Sequence, residues 1–346
     1  MPKTIKNVFY DKLTVERMYL AHQRAKKAKN SKLAVMKFEL DLETNLANLV
    51  KNISENKYKI GKHHDFTIYE PKERLIRALP YRDRVVHQWY VHEFVKPYIA
   101  PKFILQTYAC LDDRGTHKGI NQLQKYMRIM KRHYGNYYIL KCDVRKFFYT
   151  IDKDILYCIM EKHISDQALL NFTKCLIYDD CSEIGIPIGN YTSQFFANIY
   201  LNELDHYIKE EKQIRYYVRY MDDFIILCPT KADAKELLFE IKIFLKEKLK
   251  LDLNPKSRYY PSAMGVTFCG DRIFETHRLL KKDSIKKIKR KVNKWNLSYL
   301  NGTLSYDHVI ACWNSWTAHA NHCNSYYFQK KVKNKCLFKE ILPKDE

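Results

Sequence analysis

Apolar side chains recur at helical spacing between residues 12 and 50, where Phe38, Leu42, Leu46 and Leu49 share one face, so this stretch reads as mostly helix. The period then changes. Residues 64 to 80 read as a pair of strands ending at Pro80, and Arg84 to Tyr98 reads as helix. Gly115 and Gly119 break the chain around a basic loop, and Ile120 to His133 is helical again. Tyr137-Tyr138-Ile139-Leu140-Lys141-Cys142 is rich in aromatic and apolar residues and predicts a strand. Gly189-Asn190 offers a helix start, with Asn190 or Thr192 as cap, and Phe196, Tyr200 and Leu204 mark the inner face of a helix reaching Ile208. Two further strand-like runs, Arg215–Arg219 and Phe224–Cys228, flank a short turn. Asp233 to Lys250 is an amphipathic helix with Leu237, Ile241, Phe244 and Leu245 inward. After about residue 275, Trp295, Trp313 and Trp316 can supply the core of a helical segment. Strands and helices mix without regular alternation, which predicts an α+β fold.

The short turn is Tyr220-Met221-Asp222-Asp223. Asp is a good turn residue, yet two adjacent carboxylates between apolar strands repel each other and resist desolvation. A third carboxylate stands in a matching setting: Asp143 ends the Tyr137–Cys142 run, 79 residues before Asp222. If the two strands are neighbours in one sheet, Asp143 and Asp222 converge. Converging carboxylates without Cys or His suit hard cations, Mg²⁺ or Mn²⁺. Two such ions form the clamp used in phosphoryl transfer.

With these residues the chain resembles a reverse transcriptase. The matching segments run in order from about Tyr69 to Gly270. They are Pro71-Lys72-Glu73-Arg74-Leu75-Ile76, Tyr81–His87, Tyr108–Lys118, the Asp143 strand, Ile188-Gly189-Asn190-Tyr191-Thr192-Ser193-Gln194, the Tyr220 hairpin, Leu253-Asn254-Pro255-Lys256 and Gly265–Gly270. Most retroelement polymerases carry a Gln-Gly pair followed by Ser-Pro where this chain has Ile188 and Gln194. The pattern Ile-Gly-Asn-x-Thr-Ser-Gln resembles the enzymes of diversity-generating retroelements. These copy a template-repeat RNA into cDNA with errors at template adenines, and the cDNA replaces a variable repeat in a target gene. The alternatives are a reverse transcriptase of another bacterial class, group II intron-like or defence-associated, or a catalytically idle RNA-binding scaffold.

The resemblance implies a right-hand architecture. An N-terminal helical extension and fingers would occupy residues 1–135. A palm of 136–274 would carry the acidic hairpin on an antiparallel sheet, with 157–187 returning to the fingers, and 275–346 would be a helical thumb. On this reading the chain ends before any RNase H or endonuclease, and strand removal would fall to other proteins.

The resemblance also implies site roles. Asp143, Asp222 and Asp223 would be catalytic and, with the Val144 carbonyl, would hold two Mg²⁺ ions, with Mn²⁺ as a possible substitute. Lys72 and Arg74 would meet the triphosphate. Phe148 would close the space beside a ribose 2′-hydroxyl, favouring deoxynucleotides, while Phe147 is core. Ile188 and Gln194 would flank the nascent base pair, and Lys256 would lie near the leaving pyrophosphate. Arg114, Lys118, Lys286, Lys287 and Arg290 would contact nucleic acid. Gly265–Gly270 would form a tight hairpin near the primer.

Charge agrees with a polyanionic partner. Lys and Arg total 61 against 39 acidic residues, a net charge of +22 over 346 residues. The Arg24-Lys26-Lys27-Lys29 block and the Lys281–Lys291 stretch extend this basic character to both ends. No apolar run approaches a membrane span and Met1–Lys6 has no apolar signal core, so the expectation is a cytoplasmic protein of a bacterial or phage-infected cell, without a membrane partner. The expected partners are template RNA, the RNA–cDNA hybrid, deoxynucleoside triphosphates and, by resemblance, a pentameric accessory variability protein. The ten cysteines are scattered without Cys-x-x-Cys, a reduced pattern. Cys312, His319, His322 and Cys323 have zinc-ligand chemistry at a spacing that fits no common zinc module, so packing between thumb helices is the expected role.

Overall fold

Thr14 opens the first long helix by accepting from the Arg17 amide, a side-chain cap that satisfies one of the free N–H groups of the first turn. The structure is a computed structural model that describes residues 4–69, 72–179, 182 and 184–343; Pro71 of the Pro71–Ile76 segment lies outside the described residues. Three helices, α1 (Val15–Lys26), α2 (Leu33–Glu39) and α3 (Leu42–Ser54), fill the region expected to be helical. A hairpin of β1 (His64–Ile68) and β2 (Arg74–Ala78) follows, pairing His64 with Ala78 and Ile68 with Arg74. Next is α4 (Tyr81–Tyr90), continued by a wider helical stretch Val91–Ile99 that contains Pro97. The wider winding suits a residue with no N–H to give.

The chain continues through α5 (Thr116–Tyr134), β3 (Tyr138–Asp143), α6 (Phe147–Thr150), α7 (Lys153–His163), α8 (Gln167–Ile177) and α9 (Tyr191–His206). The hairpin β4 (Tyr217–Tyr220) and β5 (Asp223–Cys228) leads to α10 (Lys231–Leu249). Short strands β6 (Arg258–Pro261), β7 (Val266–Phe268), β8 (Asp271–Ile273) and β9 (Arg278–Leu280) precede α11 (Lys282–Leu300), α12 (Tyr306–Ala320) and α13 (Tyr326–Lys333). One sheet has the strand order β4-β5-β3-β6, which makes β3 and β5 neighbours, as the two carboxylate-bearing strands require. Among the described residues no helix is long and apolar enough to cross a membrane.

Two compact units emerge. The first comprises Met1–Gly115, Cys142–Phe224 and Leu237–Ser257. Its N-terminal part is built on an aromatic cluster in which Trp89 meets Phe94 at 5.3 Å, Phe172 at 5.5 Å and Phe9 at 5.9 Å, all edge-on. Such pairs contribute about 0.5–1.5 kcal/mol each beyond area burial. The indole N–H donates to the Lys12 carbonyl at 2.7 Å, so the polar edge of Trp89 is satisfied. The second unit comprises Thr116–Lys141, Ile225–Glu236 and Arg258–Glu346. Its helices α11, α12 and α13 close on Ile288, Val292, Trp295, Val309, Trp313 and Val332, with Trp316 at the margin. Gly265 has φ +63°, and a Cβ there would stand 2.6 Å from the Phe274 ring, so the turn into β7 requires glycine.

Three local expectations are corrected. Gly119 does not break the chain: α5 begins at Thr116 and Gly119 is buried inside it, while Gly115, at φ +122°, makes the turn. Asn190 occupies the cap position of α9 without a side-chain cap bond, because its amide turns to His63; Thr192 lies within the helix and its hydroxyl pairs with buried His87 at 2.8 Å. Helix α10 starts before Asp233, with Thr230 and Asp233 exchanging backbone-to-side-chain bonds of 3.0 and 3.2 Å.

Candidate active site

Lys146 departs from helical and extended geometry at φ 48°, reversing the chain just after β3. That turn starts α6, buries Phe147 in the core and leaves Phe148 half-buried on the wall of a cavity of about 720 Å³ within the first unit. The cavity gathers segments far apart in sequence: Lys72–Arg74 from the β1–β2 hairpin, Asp143–Tyr149, Ile188–Asn190 with Gln194, Tyr220–Asp223, and Asn254-Pro255. Its size suits a nucleotide-scale ligand.

Asp143 and Asp222 converge here. The Val144 amide donates to the Asp222 carbonyl at 3.3 Å, tying the end of β3 to the acidic turn. Burial and the neighbouring Asp143 charge push the Asp222 carboxyl above its ordinary value, and its own backbone N–H, Arg74 and Lys72 pull the other way. A pair of carboxylates in a cavity lined by no Cys or His makes a donor set suited to a hard cation. Asp223 is half-buried at the start of β5 and lines the same cavity.

Asp143 is fixed by a residue to which the sequence reading gave no role. Asn254 Nδ2 donates to Asp143 Oδ2 at 2.9 Å, and the Asn254 N–H donates to the Asp143 carbonyl at 2.7 Å. The Ser257 hydroxyl accepts from the Asp143 N–H at 3.1 Å. The signal was the Leu253–Lys256 segment, in which Asn254 is the amide-bearing residue. Lys256 is exposed, and its N–H donates to Asn254 Oδ1 at 3.1 Å.

Beneath the acidic turn lies a buried ion pair that no local pattern reports. Arg219 and Asp205 are both fully buried, with Nε at 2.8 Å from Oδ1 and Nη2 at 2.5 Å from Oδ2, a bidentate fork. The Tyr217 hydroxyl donates to Oδ1 at 2.6 Å and the Thr107 hydroxyl to Oδ2 at 2.8 Å. Removing one partner of such a pair strands the other charge and costs about 3–5 kcal/mol.

One wall of the cavity is apolar where Ile188 stands. The Ile188 carbonyl accepts from the Arg77 N–H at 3.0 Å. A Cβ on Gly189, at φ +114°, would stand 2.9 Å from Ile76 Cγ2, so glycine lets the hairpin approach. Gln194 Oε1 is taken up by the Cys110 thiol at 3.3 Å.

The remaining expected residues divide. Lys72 and Arg74 are exposed at the cavity. Arg114 spends one guanidinium nitrogen on the carbonyls of Ile104 and Thr107, 2.6 Å each. Lys118 is exposed in the first turn of α5, and Lys286, Lys287 and Arg290 are exposed on α11. In the N-terminal block Lys26 pairs with Glu39 at 2.8 Å, while Arg24, Lys27 and Lys29 are exposed. Of the zinc-type residues, His319 faces Asp271 at 3.8 Å and the Cys323 thiol is hydrogen-bonded to the same carboxylate, while Cys312 faces His308 at 3.6 Å and His322 packs on His117 with ring centres 3.8 Å apart. Among the described residues no three His, Cys, Asp or Glu side chains form a ready-made metal cage.

Comparison with known proteins places this geometry. Two curated relatives are similar: the COX1/OXI3 intron 2 protein of Saccharomyces cerevisiae, 27% identical over 44% of this chain and 25% of its own length, and the retron Ec48 reverse transcriptase of Escherichia coli, 24% identical over 51% of this chain and 44% of its own. The chain therefore spans less than half the length of each. Among solved structures, the telomerase from Candida albicans in complex with a fragment of telomeric RNA aligns over 87% of this chain and 65% of its own, at 11% identity and a TM-score of 0.49. The model of the family described as reverse transcriptase (RNA-dependent DNA polymerase) matches residues 60–268, more than half of the chain and the span that holds the whole cavity, and the protein belongs to that family.

Proposed function

We propose that the chain is an RNA-directed DNA polymerase of the diversity-generating retroelement type, copying a template-repeat RNA into cDNA with errors concentrated at template adenines for mutagenic retrohoming. The observation that carries the polymerase reading is the convergence of Asp143 and Asp222 at a cavity that also receives Lys72 and Arg74. The reaction asks a primer 3′-hydroxyl to attack the α-phosphate of a deoxynucleotide, and catalysis is mostly positioning and charge stabilisation. Asp143, Asp222 and the Val144 carbonyl, with Asp223 beside them, would hold two Mg²⁺ ions, or Mn²⁺ in their place. When bound, these ions supply charge neutralisation at the phosphates and acidify the attacking hydroxyl. Lys72 and Arg74 orient the triphosphate and offset its charge. Phe148 excludes a 2′-hydroxyl. Lys256, next to the cavity-lining Pro255, would lie near the leaving pyrophosphate.

The finer reading rests on Ile188 and Gln194. Ile188 offers the nascent pair no hydrogen bond, and the Gln194 oxygen is engaged by Cys110. The exposed bases of Lys118, Lys286, Lys287 and Arg290, with Arg114 in a supporting position, would follow the template RNA and the RNA–cDNA hybrid. A pentameric accessory protein would dock on basic surface, in the cytoplasm of a bacterial or phage-infected cell. The names of the two curated relatives favour a second reading, a retron or intron-type enzyme. Primer extension on a defined RNA template tests both levels. Loss of cDNA in Asp143→Asn and Asp222→Asn supports the polymerase, and normal extension overturns it. An error spectrum without an excess opposite adenine leaves the polymerase and removes the retroelement type.

A further inference from the structure

Met221 sits at the tip of the acidic turn in a left-handed conformation, φ 55°, which a side chain with a Cβ adopts only when its surroundings impose it. The backbone on either side of Asp222 is gripped. On one side the Asp222 carbonyl accepts from the Val144 N–H. On the other, Arg219 Nη1 donates to the Met221 carbonyl at 3.0 Å. Arg219 cannot swing away, because every nitrogen of its planar fork is engaged. Nε and Nη2 bind the Asp205 carboxylate, Nη2 also reaches Thr107 Oγ1 at 3.4 Å, and Nη1 reaches Asn198 Oδ1 at 3.1 Å. Asn198 is locked in turn, its Nδ2 donating to the Ala109 carbonyl at 2.9 Å.

We infer that Arg219 is a positioning residue for catalysis: clamped by Asp205 and Asn198, it holds the Met221 carbonyl and so fixes the strained turn that presents the Asp222 carboxylate. A buried ion pair gives little net stability over apolar packing of equal volume. A guanidinium is a suitable group here because it alone offers the several fixed, coplanar donors that a carboxylate, an amide oxygen and a backbone carbonyl require together. A lysine could neutralise Asp205 but could not span all three acceptors. The inference rests on the reading of Asp222 as a polymerase carboxylate.

The test uses the full chain, Arg219→Lys, and Asp222→Asn as control. Thermal melting establishes that each variant is folded at the assay temperature. Amide hydrogen exchange across Tyr220–Asp223 is measured without nucleotide or metal, and primer extension is measured over a Mg²⁺ titration. The expected result for Arg219→Lys is exchange at the turn at least tenfold faster, kcat at least tenfold lower with the KM for primer–template within twofold, and a Mg²⁺ midpoint at least threefold higher. Wild-type exchange and wild-type kcat in folded Arg219→Lys overturn the inference. A purely structural role would lower the melting temperature and leave the turn's exchange and the Mg²⁺ midpoint of the folded enzyme alone. If Arg219→Lys does not fold, Asn198→Ala keeps the ion pair and removes one of the two acceptors that fix Nη1, leaving only the Met221 carbonyl; faster exchange at the turn supports the clamp, and unchanged exchange overturns it. Extension by Asp222→Asn would remove the polymerase reading itself. An inactive Asp222→Asn beside a fully active Arg219→Lys removes only the clamp.

Discussion

Asn254 holds Asp143 twice, by its side-chain amide on Oδ2 at 2.9 Å and by its backbone N–H on the Asp143 carbonyl at 2.7 Å. The second bond survives any substitution except proline, so replacing the side chain isolates the first. A hydrogen bond to a charged group contributes about 1.5–3 kcal/mol, which is roughly ten- to a hundredfold in rate if it is fully expressed in the transition state. Asn254→Ala should lower kcat for primer extension by about tenfold or more and leave RNA affinity unchanged. Equal kcat in the two proteins would show that Asp143 is oriented without it. Asn254→Asp should be worse than Ala, since it adds a third negative charge beside two that already oppose each other.

Asp222 links activity to stability in opposite directions. Burial and the Asp143 charge raise its carboxyl in the folded protein. A raised carboxyl favours the folded state while it is protonated, and that contribution fades as pH rises through the folded-state value. At neutral pH without divalent ions, Asp222→Asn should therefore melt higher than wild type while making no cDNA. The carboxyl is half-buried, so solvent screens part of the effect and the gain should be small, about 1–3 °C. Lowering the pH until wild-type Asp222 is neutral should close the gap. A variant that melts lower than wild type at pH 7 would mean that Asp222 is not held at an electrostatic cost.

The two carboxylates were legible because they break a local rule. Charges at the ends of apolar strands have no packing reason to be there, and the alternation that buries Phe147 leaves Phe148 for the cavity. Arg219 was not legible. In a strand of period two it passes for one more polar residue, and what buries it is Asp205, fourteen residues earlier on α9. Asp205 did carry a sign, a charge beside the inward Leu204, but pairing it across elements needs the tertiary structure. Gly119 was misread for the opposite reason: glycine weakens a helix locally, and here burial within α5 outweighs that preference.

Phe148 should set sugar choice by shape alone. It lines the cavity half-buried, next to a fully packed Phe147 whose ring centre is 5.7 Å away. Phe148→Ala should open space beside the 2′ position and raise ribonucleotide use relative to deoxynucleotide use by at least about tenfold, the scale of a lost steric block. The ratio is measured in competition on one template. A ratio that stays at the wild-type value would reduce Phe148 to a packing residue.

RNA affinity should fall steeply with salt, because each phosphate contact releases counterions. The net charge of +22 is compatible with many such contacts, and Lys286, Lys287 and Arg290, exposed together on α11, are proposed to make three of them. Replacing all three with Gln should flatten the slope of log affinity against log salt by about 2, given roughly 0.7 per phosphate on single strands. An unchanged slope would place the RNA elsewhere. Loss of template-primed synthesis without the pentameric accessory protein, and recovery on adding it, would support the proposed partner; full activity of the chain alone would count against it.

The fidelity reading turns on Ile188. Its side chain lines the cavity where most retroelement polymerases place Gln, and it can offer no hydrogen bond to a mispaired or correctly paired base. Buried polar contacts of this kind are worth about 1–3 kcal/mol, enough to change misincorporation roughly tenfold. Ile188→Gln restores a donor and acceptor at similar reach. Gln194 Oε1 is engaged by Cys110 and the Asn190 amide nitrogen by His63, while Asn190 Oδ1 is buried without a partner, so the new amide can turn toward the nucleotide or toward Asn190 and is costly if it meets neither. Some loss of rate is therefore expected. Errors opposite template adenine should fall more than errors opposite the other three bases, as read by sequencing cDNA made on a defined RNA. If an active Ile188→Gln enzyme keeps the wild-type error spectrum, the apolar wall is not the source of adenine selectivity, and the cause must lie in how the template strand itself is held.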